Sequence, residues 1–368
     1  MEKIVLSTAT SYFIALILVP VAIKVLKSIN VMDNPDDERK LHKQETPSMG
    51  GIAIFLAVFM ALPIWLPISV LGGSKYLLAA CFLMFLLGMR DDFIMLRARH
   101  KLIGQLVIGM IVIYFADIRF ESLYGILGIE TLPYWASVAI SLFTFVVITN
   151  AYNLIDGIDG LAGSIGILVL GFLGFWFFQT GEQVISMVCL STVGAIFAFL
   201  YFNWQPAKIF MGDTGSLFIG FLIAIFTVKF INSNYFLPAS SDIKYISHIT
   251  MAVGLLSIPL FDTLRVFIVR IVQGNSPMVP DRNHLHHRLL QMGLSHKKST
   301  LVLLGANVFL TILAVLLQDL GNLYSFAILL TTVGILNFTL FKVYKFRTSL
   351  RATRARKAAR QVYLSKSA

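Results

Sequence analysis

Residues 150–163 have the sequence Asn150-Ala151-Tyr152-Asn153-Leu154-Ile155-Asp156-Gly157-Ile158-Asp159-Gly160-Leu161-Ala162-Gly163 and lie between two apolar runs. The polar groups recur at every third position. A step of three on an α-helix lags by about 60° each time, so these four polar groups cannot share one face. The pattern predicts a helix that ends near Asn153 and a glycine-loosened turn that aims the carboxylates and amides at one point. The alternative is a capped loop between two buried helices, with Asn and Asp as turn residues.

The composition of the whole chain indicates a membrane protein. Of its 368 residues 57% are hydrophobic and 13% are charged, which is about half the usual charged share of a soluble domain; mean hydropathy is +0.80. Long apolar runs must satisfy their backbone groups internally, so we predict an all-α integral membrane protein. Cys81 and Cys189 lie in apolar runs and are expected in the core, not in a disulfide or a metal site. The run 4–26 is too long for a cleavable signal and is expected to be the first transmembrane helix.

About eleven transmembrane helices are expected from runs of roughly 20 apolar residues. The predicted spans lie near residues 4–27, 49–71, 76–92, 102–117, 132–150, 163–180, 184–203, 209–230, 246–270, 299–318 and 321–341. With the N-terminus outside, most of the 30 lysines and arginines fall on the inner side. The positive-inside rule therefore predicts a multi-pass protein of the cytoplasmic membrane with its C-terminus inside. We divide the chain into a polytopic domain, 1–345, and a basic cytoplasmic tail, 346–368.

The polar clusters all fall on the predicted inner side. They are residues 33–42, 46–51, 90–92 with Lys101, 150–163, 210–216 and 280–288. The outer loops are short and carry few polar groups. This asymmetry predicts an active site formed by cytoplasmic loops. It argues against a channel or transporter, which would place ionisable groups near the midplane of the membrane.

The acids of two clusters have the chemistry of a catalytic and metal site. Asp91 and Asp92 point about 100° apart on a helix, so one can face a reacting group while the other faces a cation or a neighbouring helix. A stop signal at the membrane boundary, paired with Arg90, is the alternative. Asp213 lies at a predicted helix start and suits a hard cation, because Mg²⁺ prefers carboxylate and amide oxygens together with substrate phosphates. An N-cap role for Asp213 is the alternative and is compatible with metal binding.

The histidine cluster predicts phosphate binding. His284, His286 and His287 cannot all share one face in helical or strand periodicity, and the spacing expected of a zinc site is missing. Arg282 and Arg288 flank them, so a clamp for a phosphate or nucleotide sugar is favoured over zinc. A solvated basic loop is the alternative. The basic tail is expected to contact anionic inner-leaflet lipid, and no nucleic-acid partner is expected.

Five motifs in order resemble the polyprenyl-phosphate N-acetylhexosamine-1-phosphate transferase family. The matching segments are residues 46–51, 90–92, 150–161, 211–216 and 280–287. The string 281–287, Asp-Arg-Asn-His-Leu-His-His, is more similar to the undecaprenyl-phosphate N-acetylglucosamine-1-phosphate transferases than to the phospho-N-acetylmuramoyl-pentapeptide transferases. One departure is Met95, where the family often carries a third acid.

The resemblance implies transfer of N-acetylhexosamine 1-phosphate from a UDP-sugar to undecaprenyl phosphate, with release of UMP. It implies Mg²⁺ as cofactor, with Mn²⁺ as a substitute, held by Asn153 and Asp213. It makes Asp91 the group that positions or deprotonates the lipid phosphate, supported by Asp92. The substrate-binding residues it implies are Lys40, His42, Lys101, Asn150, Asp156, Asp159, Arg282, His284, His286 and His287.

Rival functions and the oligomeric state stay open at this point. Within the family, the alternative is the phospho-N-acetylmuramoyl-pentapeptide transferase of peptidoglycan synthesis. A transporter of phosphorylated or cationic solutes is an alternative from another class, but it would have to use Asp262 or Asp117, and Asp117 lies at an outer end. A membrane scaffold would not need metal-type ligands on five loops. A homodimer is compatible with the sequence, as are other oligomeric states.

Overall fold

The computed structural model describes residues 1–33, 46–67, 71–125, 128–274 and 283–366, with side chains up to residue 349. Thirteen α-helices and a short 3-10 helix, Gln318–Leu320, are found in this part of the chain. The α-helices are α1 Glu2–Ser28, α2 Gly51–Trp65, α3 Ser74–Phe93, α4 Ala98–Ala116, α5 Tyr134–Leu154, α6 Leu161–Gln179, α7 Gln183–Asn203, α8 Gly212–Phe236, α9 His248–Leu255, α10 Ser257–Val272, α11 Leu285–Gln291, α12 His296–Leu316 and α13 Gly321–Lys366. Two short strands, β1 Met32–Asp33 and β2 Thr46–Pro47, pair antiparallel.

The helical membrane fold is confirmed, with one small exception. Within the described residues, eight helices are long and apolar enough to cross a membrane, or nine if the bent pair α9 and α10 forms one span. The two other predicted spans correspond to α2, which has only 15 residues, and α3, which ends in charged residues. The strand pair β1–β2 was not expected from the sequence. The number of spans, the orientation and the cytoplasmic location of the loops stay predictions.

Helix α8 is the centre of the bundle. In the most apolar 18-residue segment of α8, 94% of the residues are buried, whereas in the corresponding segment of the last span, Gln318–Ser349, only 11% are buried. A helix that is apolar on all sides packs well only when other helices surround it, and α8 contacts α2, α3, α5, α6 and α9. Asp213 lies in the first turn of this helix. The central helix therefore carries a predicted metal ligand at its beginning.

Glycines let three helices approach closely at the beginning of α8. A Cβ atom on Gly51 of α2 would lie 2.1 Å from the backbone nitrogen of Gly215. A Cβ atom on Gly88 of α3 would lie 2.4 Å from the carbonyl oxygen of Asp213. Small residues at helix interfaces allow such backbone contact in membranes. These two contacts hold the start of α8 against α2 and the end of α3.

Two helix boundaries bear on the sequence predictions. Helix α5 ends at Leu154, one residue after the predicted end, and α6 begins at Leu161 after Gly160, whose φ is +76°. At the other end of the chain, α13 continues through residue 345 without a break. The division into a domain 1–345 and a tail 346–368 is therefore not marked by a change of secondary structure, and it stays a prediction.

Candidate functional site

The end of α3 is joined to the start of α8 by one carboxylate. Asp92 accepts hydrogen bonds from the backbone N–H groups of Asp213 and Thr214, both at 2.8 Å, and from the Thr214 hydroxyl. The first N–H groups of a helix have no partner inside the helix. Asp92 on α3 supplies the acceptor for two of these N–H groups, and its negative charge interacts favourably with the N-terminus of α8. The N-cap role considered for Asp213 is thus wrong, because Asp92 caps this helix.

One ammonium group joins the two other acids of this cluster. The Nζ atom of Lys101 on α4 lies 2.9 Å from Asp91 Oδ2 and 2.8 Å from Asp213 Oδ2. The other oxygen of Asp91 accepts the backbone N–H of Leu96 at 2.7 Å. Asp91 and Asp92 therefore face different partners, as expected for adjacent helical residues. The stop-signal alternative for Asp91, paired with Arg90, does not describe its observed partner, Lys101.

Asn153 completes the cluster from α5. Its side-chain nitrogen donates to Asp213 Oδ1 at 2.6 Å and to Ser216 Oγ at 2.7 Å. Ser216 in turn donates to the carbonyl oxygen of Gly212. The two predicted metal ligands, Asn153 and Asp213, are thus in direct contact although 60 residues separate them in sequence.

A cavity of about 230 Å³ opens beside this cluster. It is lined by Asn153, Leu154, Asp156, Gly157, Arg270, His284, His286 and His287. Burial raises the pKa of Asp156 well above its usual range, and the negative charges of Asp213, Asp92 and Asp159 add to the shift. A cation in the cavity would relieve that repulsion, since an opposite charge favours the ionised form of a carboxyl group. The cavity joins the acid cluster to the histidine segment.

All three predicted histidines line this cavity. His284 precedes α11 while His286 and His287 lie in its first turn, so the chain turn brings together rings that no single helical face could hold. His284 and His286 are only 5% and 2% exposed. The solvated-loop alternative is therefore wrong for these two side chains.

His286 packs tightly against the turn after α5. A Cβ atom on Gly157 would lie 2.3 Å from His286 Nε2, so a larger residue at 157 would displace the ring. Burial is the main cause that lowers the pKa of His286 to about 3; His287, His284 and His296 act in the same direction, and Asp262 opposes them. The lowered pKa favours the neutral form of His286 at neutral pH in the absence of a ligand.

Asp262 on α10 anchors the histidine segment. Its Oδ2 lies 3.0 Å from His284 Nδ1, and Oδ1 accepts the backbone N–H of Leu285 at 3.0 Å and a guanidinium N–H of Arg265 at 2.7 Å. From the sequence, Asp262 is a candidate only for the acid that a transporter would have to use. An acid three residues before an arginine in an apolar helix was the available signal for a paired, structural acid. Both oxygens of Asp262 are occupied by His284, Leu285 and Arg265, which argues against a role in binding a transported solute.

The four polar residues of 150–159 do not converge, and this prediction is wrong. Asn150 exchanges hydrogen bonds with Gln105 on α4. Asp159 lies 3.1 Å from His296 Nδ1 and also accepts the backbone N–H of Ala207. Only Asn153 and Asp156 line the cavity. On α5 the step of three from Asn153 back to Asn150 turns the Asn150 side chain toward α4. Asp159 lies beyond the end of α5, in the turn before α6, where helical periodicity no longer decides its direction.

The remaining predicted residues divide into two groups. Lys40, His42 and Arg282 lie outside the described residues. Asn150 and Asp159 are described but do not line the cavity. A substrate-binding role for each of these five stays a prediction.

The donor set is suited to a hard cation bound together with a substrate. Asp91, Asp92, Asp156 and Asp213 supply carboxylate oxygens, and Asn153 supplies an amide. Among the residues that the structure describes, no group of three or more His, Cys, Asp or Glu side chains is arranged to hold a metal ion. Mg²⁺ does not need such a group, because it is usually bound by one or two carboxylates together with water and substrate phosphates. The residues present therefore fit Mg²⁺ better than a metal that takes all its ligands from protein.

Comparison with known proteins gives a family match over the acid-cluster part of this site. The family described as Glycosyl transferase family 4 matches residues 74–231, which include the acid cluster and Asn153. A protein of Bacillus subtilis, named probable undecaprenyl-phosphate N-acetylglucosaminyl 1-phosphate transferase, is 31% identical over 332 residues, 87% of this chain and 86% of the relative.

Two further relatives differ in their named reactions. A decaprenyl-phosphate N-acetylglucosaminephosphotransferase of Mycolicibacterium smegmatis is 33% identical over 72% of this chain and 70% of the relative. A phospho-N-acetylmuramoyl-pentapeptide-transferase of Geobacillus kaustophilus is 35% identical, but over 62% of this chain and 75% of the relative. The similarity to the N-acetylglucosamine enzymes thus extends over more of the chain.

Proposed function

Because this chain belongs to glycosyl transferase family 4, the polyprenyl-phosphate N-acetylhexosamine-1-phosphate transferases, we propose that it transfers N-acetylglucosamine 1-phosphate from UDP-N-acetylglucosamine to undecaprenyl phosphate. The product is a lipid-linked diphosphate sugar that would start the synthesis of a cell-envelope glycan. The observation that supports this most directly is the contact between Asp213, Lys101 and Asn153 beside a cavity lined by histidines and Arg270. We place this site at the cytoplasmic side of the inner membrane, where both substrates have their phosphates.

The cavity would hold the diphosphate of the donor. Arg270, His284 and His287 can donate hydrogen bonds to phosphate oxygens, and arginine does so with fixed geometry. Asp156 would face the sugar or the nucleotide. Asn153 and Asp213 would hold Mg²⁺, which when bound supplies positive charge to the donor diphosphate and to the departing UMP.

The acceptor is a phosphate monoester, so a strong base is not needed. Its second pKa is about 6, and the monoester is therefore mostly ionised at neutral pH. One of its oxygens forms a bond to the phosphorus that carries the sugar, the bond from that phosphorus to the bridging oxygen breaks, and UMP leaves with the electron pair. Asp91, fixed by Lys101 and the Leu96 N–H, would orient the acceptor in line with that bond.

Release of UMP by the purified protein tests the proposal. The protein in detergent or nanodiscs is given undecaprenyl phosphate, Mg²⁺ and one UDP-sugar at a time. We expect UMP with UDP-N-acetylglucosamine and none without the lipid phosphate. Release only from UDP-N-acetylmuramoyl-pentapeptide would assign the peptidoglycan reaction instead. No release from any UDP-sugar, with folded protein, would refute the proposed function.

A further inference from the structure

Asp262 is a buried acid whose side chain holds His284 and the backbone next to it. It is 2% exposed in the middle of α10. Its two oxygens accept from His284, Leu285 and Arg265. Arg265 also donates to the carbonyl oxygen of Asn283, the residue before His284. Asp262 and Arg265 thus fix both the ring and the backbone at the beginning of α11.

The contact with Asp262 determines which nitrogen of His284 is available. An ionised carboxylate only accepts hydrogen bonds, so His284 Nδ1 must carry a proton to donate at 3.0 Å. The hydrogen bond at one ring nitrogen sets the chemistry of the other. His284 lines the cavity, and Nε2 is the nitrogen that remains for a ligand.

We propose that Asp262 is a positioning residue for the transfer reaction, which orients His284 so that its Nε2 faces the diphosphate of the UDP-sugar. This inference rests on the proposed function and adds a residue to it. Asp262 is too enclosed to touch the substrate, so its effect passes through His284. Removal of Asp262 would free the ring to rotate and to change tautomer, and the donor would lose one aligned contact.

A double-mutant cycle tests this coupling. We expect Asp262→Asn to raise KM for UDP-N-acetylglucosamine about 10- to 100-fold, by analogy with the cost of removing the carboxylate behind a metal-ligating histidine, and to leave KM for undecaprenyl phosphate unchanged. His284→Ala should give a similar change. The double variant should be no worse than His284→Ala, because residues that act as one unit are not additive. The proposal would be overturned if the fold-changes of the two single variants multiplied in the double variant. It would also be overturned if only KM for undecaprenyl phosphate changed.

The control lies on the same helix. Thr263 is buried beside Asp262, and its hydroxyl has no hydrogen-bond partner within the described chain. Thr263→Ala should leave both KM values unchanged, which separates loss of the carboxylate from disturbance of α10. Unchanged thermal unfolding of Asp262→Asn excludes misfolding as the cause of its effect.

A second measurement does not depend on any Asp262 variant. In the wild-type protein labelled with ¹⁵N-histidine, with His284→Gln to assign the signal, we expect His284 to carry a proton on Nδ1. A neutral ring protonated only on Nε2 would overturn the proposal. Inactive wild-type protein would refute the proposed function, whereas active wild-type protein with an additive cycle would refute only the role of Asp262.

Discussion

The Asp92 carboxylate accepts the backbone N–H of Asp213 at 2.8 Å, across 121 residues of sequence. The acid at the end of α3 thereby fixes the position of the acid at the start of α8. Two carboxylates that the sequence places in separate motifs form one structural unit. Asp213 is the residue that the others share, because its backbone donates to Asp92 and its side chain contacts Lys101 and Asn153.

We expect Asp92→Ala to lower both stability and activity. The variant leaves the first N–H groups of α8 without their acceptor, and loss of a helix cap costs about 1 kcal/mol. Asp92→Asn keeps one acceptor oxygen and should lose less stability. Thermal unfolding and UMP release measure the two effects. Full stability of Asp92→Ala would contradict the capping role.

Asp213→Asn and Lys101→Met should shift the metal requirement in opposite directions. Asp213→Asn removes a negative charge from the proposed ligand set, so more Mg²⁺ should be needed for half-maximal rate. Lys101→Met removes the ammonium group that neutralises Asp91 and Asp213, so a cation should bind more tightly even if the maximal rate falls. Rates are measured against Mg²⁺ concentration after removal of metal with a chelator. Identical requirements in all three proteins would argue against a metal at Asp213.

Gly157→Ala should be strongly harmful. The new Cβ atom would lie 2.3 Å from His286 Nε2, and overpacking of this kind typically costs about 1–3 kcal/mol. Gly171→Ala is the control on α6, since nothing other than the local backbone of its own helix lies within 4 Å of its added Cβ. We expect a lower melting temperature and loss of UMP release for Gly157→Ala only. Equal behaviour of the two variants would show that the ring is not held as described.

Acid should destabilise the protein through His286. Its folded-state pKa, about 3, lies below the ordinary value of 6.5, so between these values the unfolded chain binds more protons than the folded one. Stability is then complete above pH 6.5 and decreases as the pH falls toward 3. Between pH 7 and pH 5, the melting temperature of His286→Gln should fall less than that of the wild type. The same loss in both proteins would assign the acid sensitivity to other groups.

The orientation predicted from the basic residues can be tested at the end of the last span. We expect a single cysteine introduced at Thr348 to resist a membrane-impermeant thiol reagent added outside intact cells, and to react after the membrane is opened. The native Cys81 and Cys189 are buried and should remain unlabelled in a parallel sample. Labelling of residue 348 from outside would reverse the orientation and place the site on the other side of the membrane.

Local features of this protein could be predicted from the sequence because they depend on neighbouring residues. The apolar runs predicted the helices, and the change at Asn153 predicted the end of α5 to within one residue. The acids at 91, 92 and 213 and the histidines at 284–287 were recognised as chemical groups by their type and by the family motifs. The adjacency of Asp91 and Asp92 also indicated that their side chains face different partners.

The sequence by itself determined the membrane class, the helices and the kinds of functional group that this protein carries. Only the tertiary structure decided which of those groups meet: Asp92 with the start of α8, Asp262 with His284, and Asp159 with His296 instead of the cavity. The physical reason is that a membrane helix is determined locally, by a long run of apolar residues. The partner of a side chain depends instead on how helices far apart in sequence pack, and glycines such as Gly51 and Gly88 reveal their close approach only when the facing backbone is known.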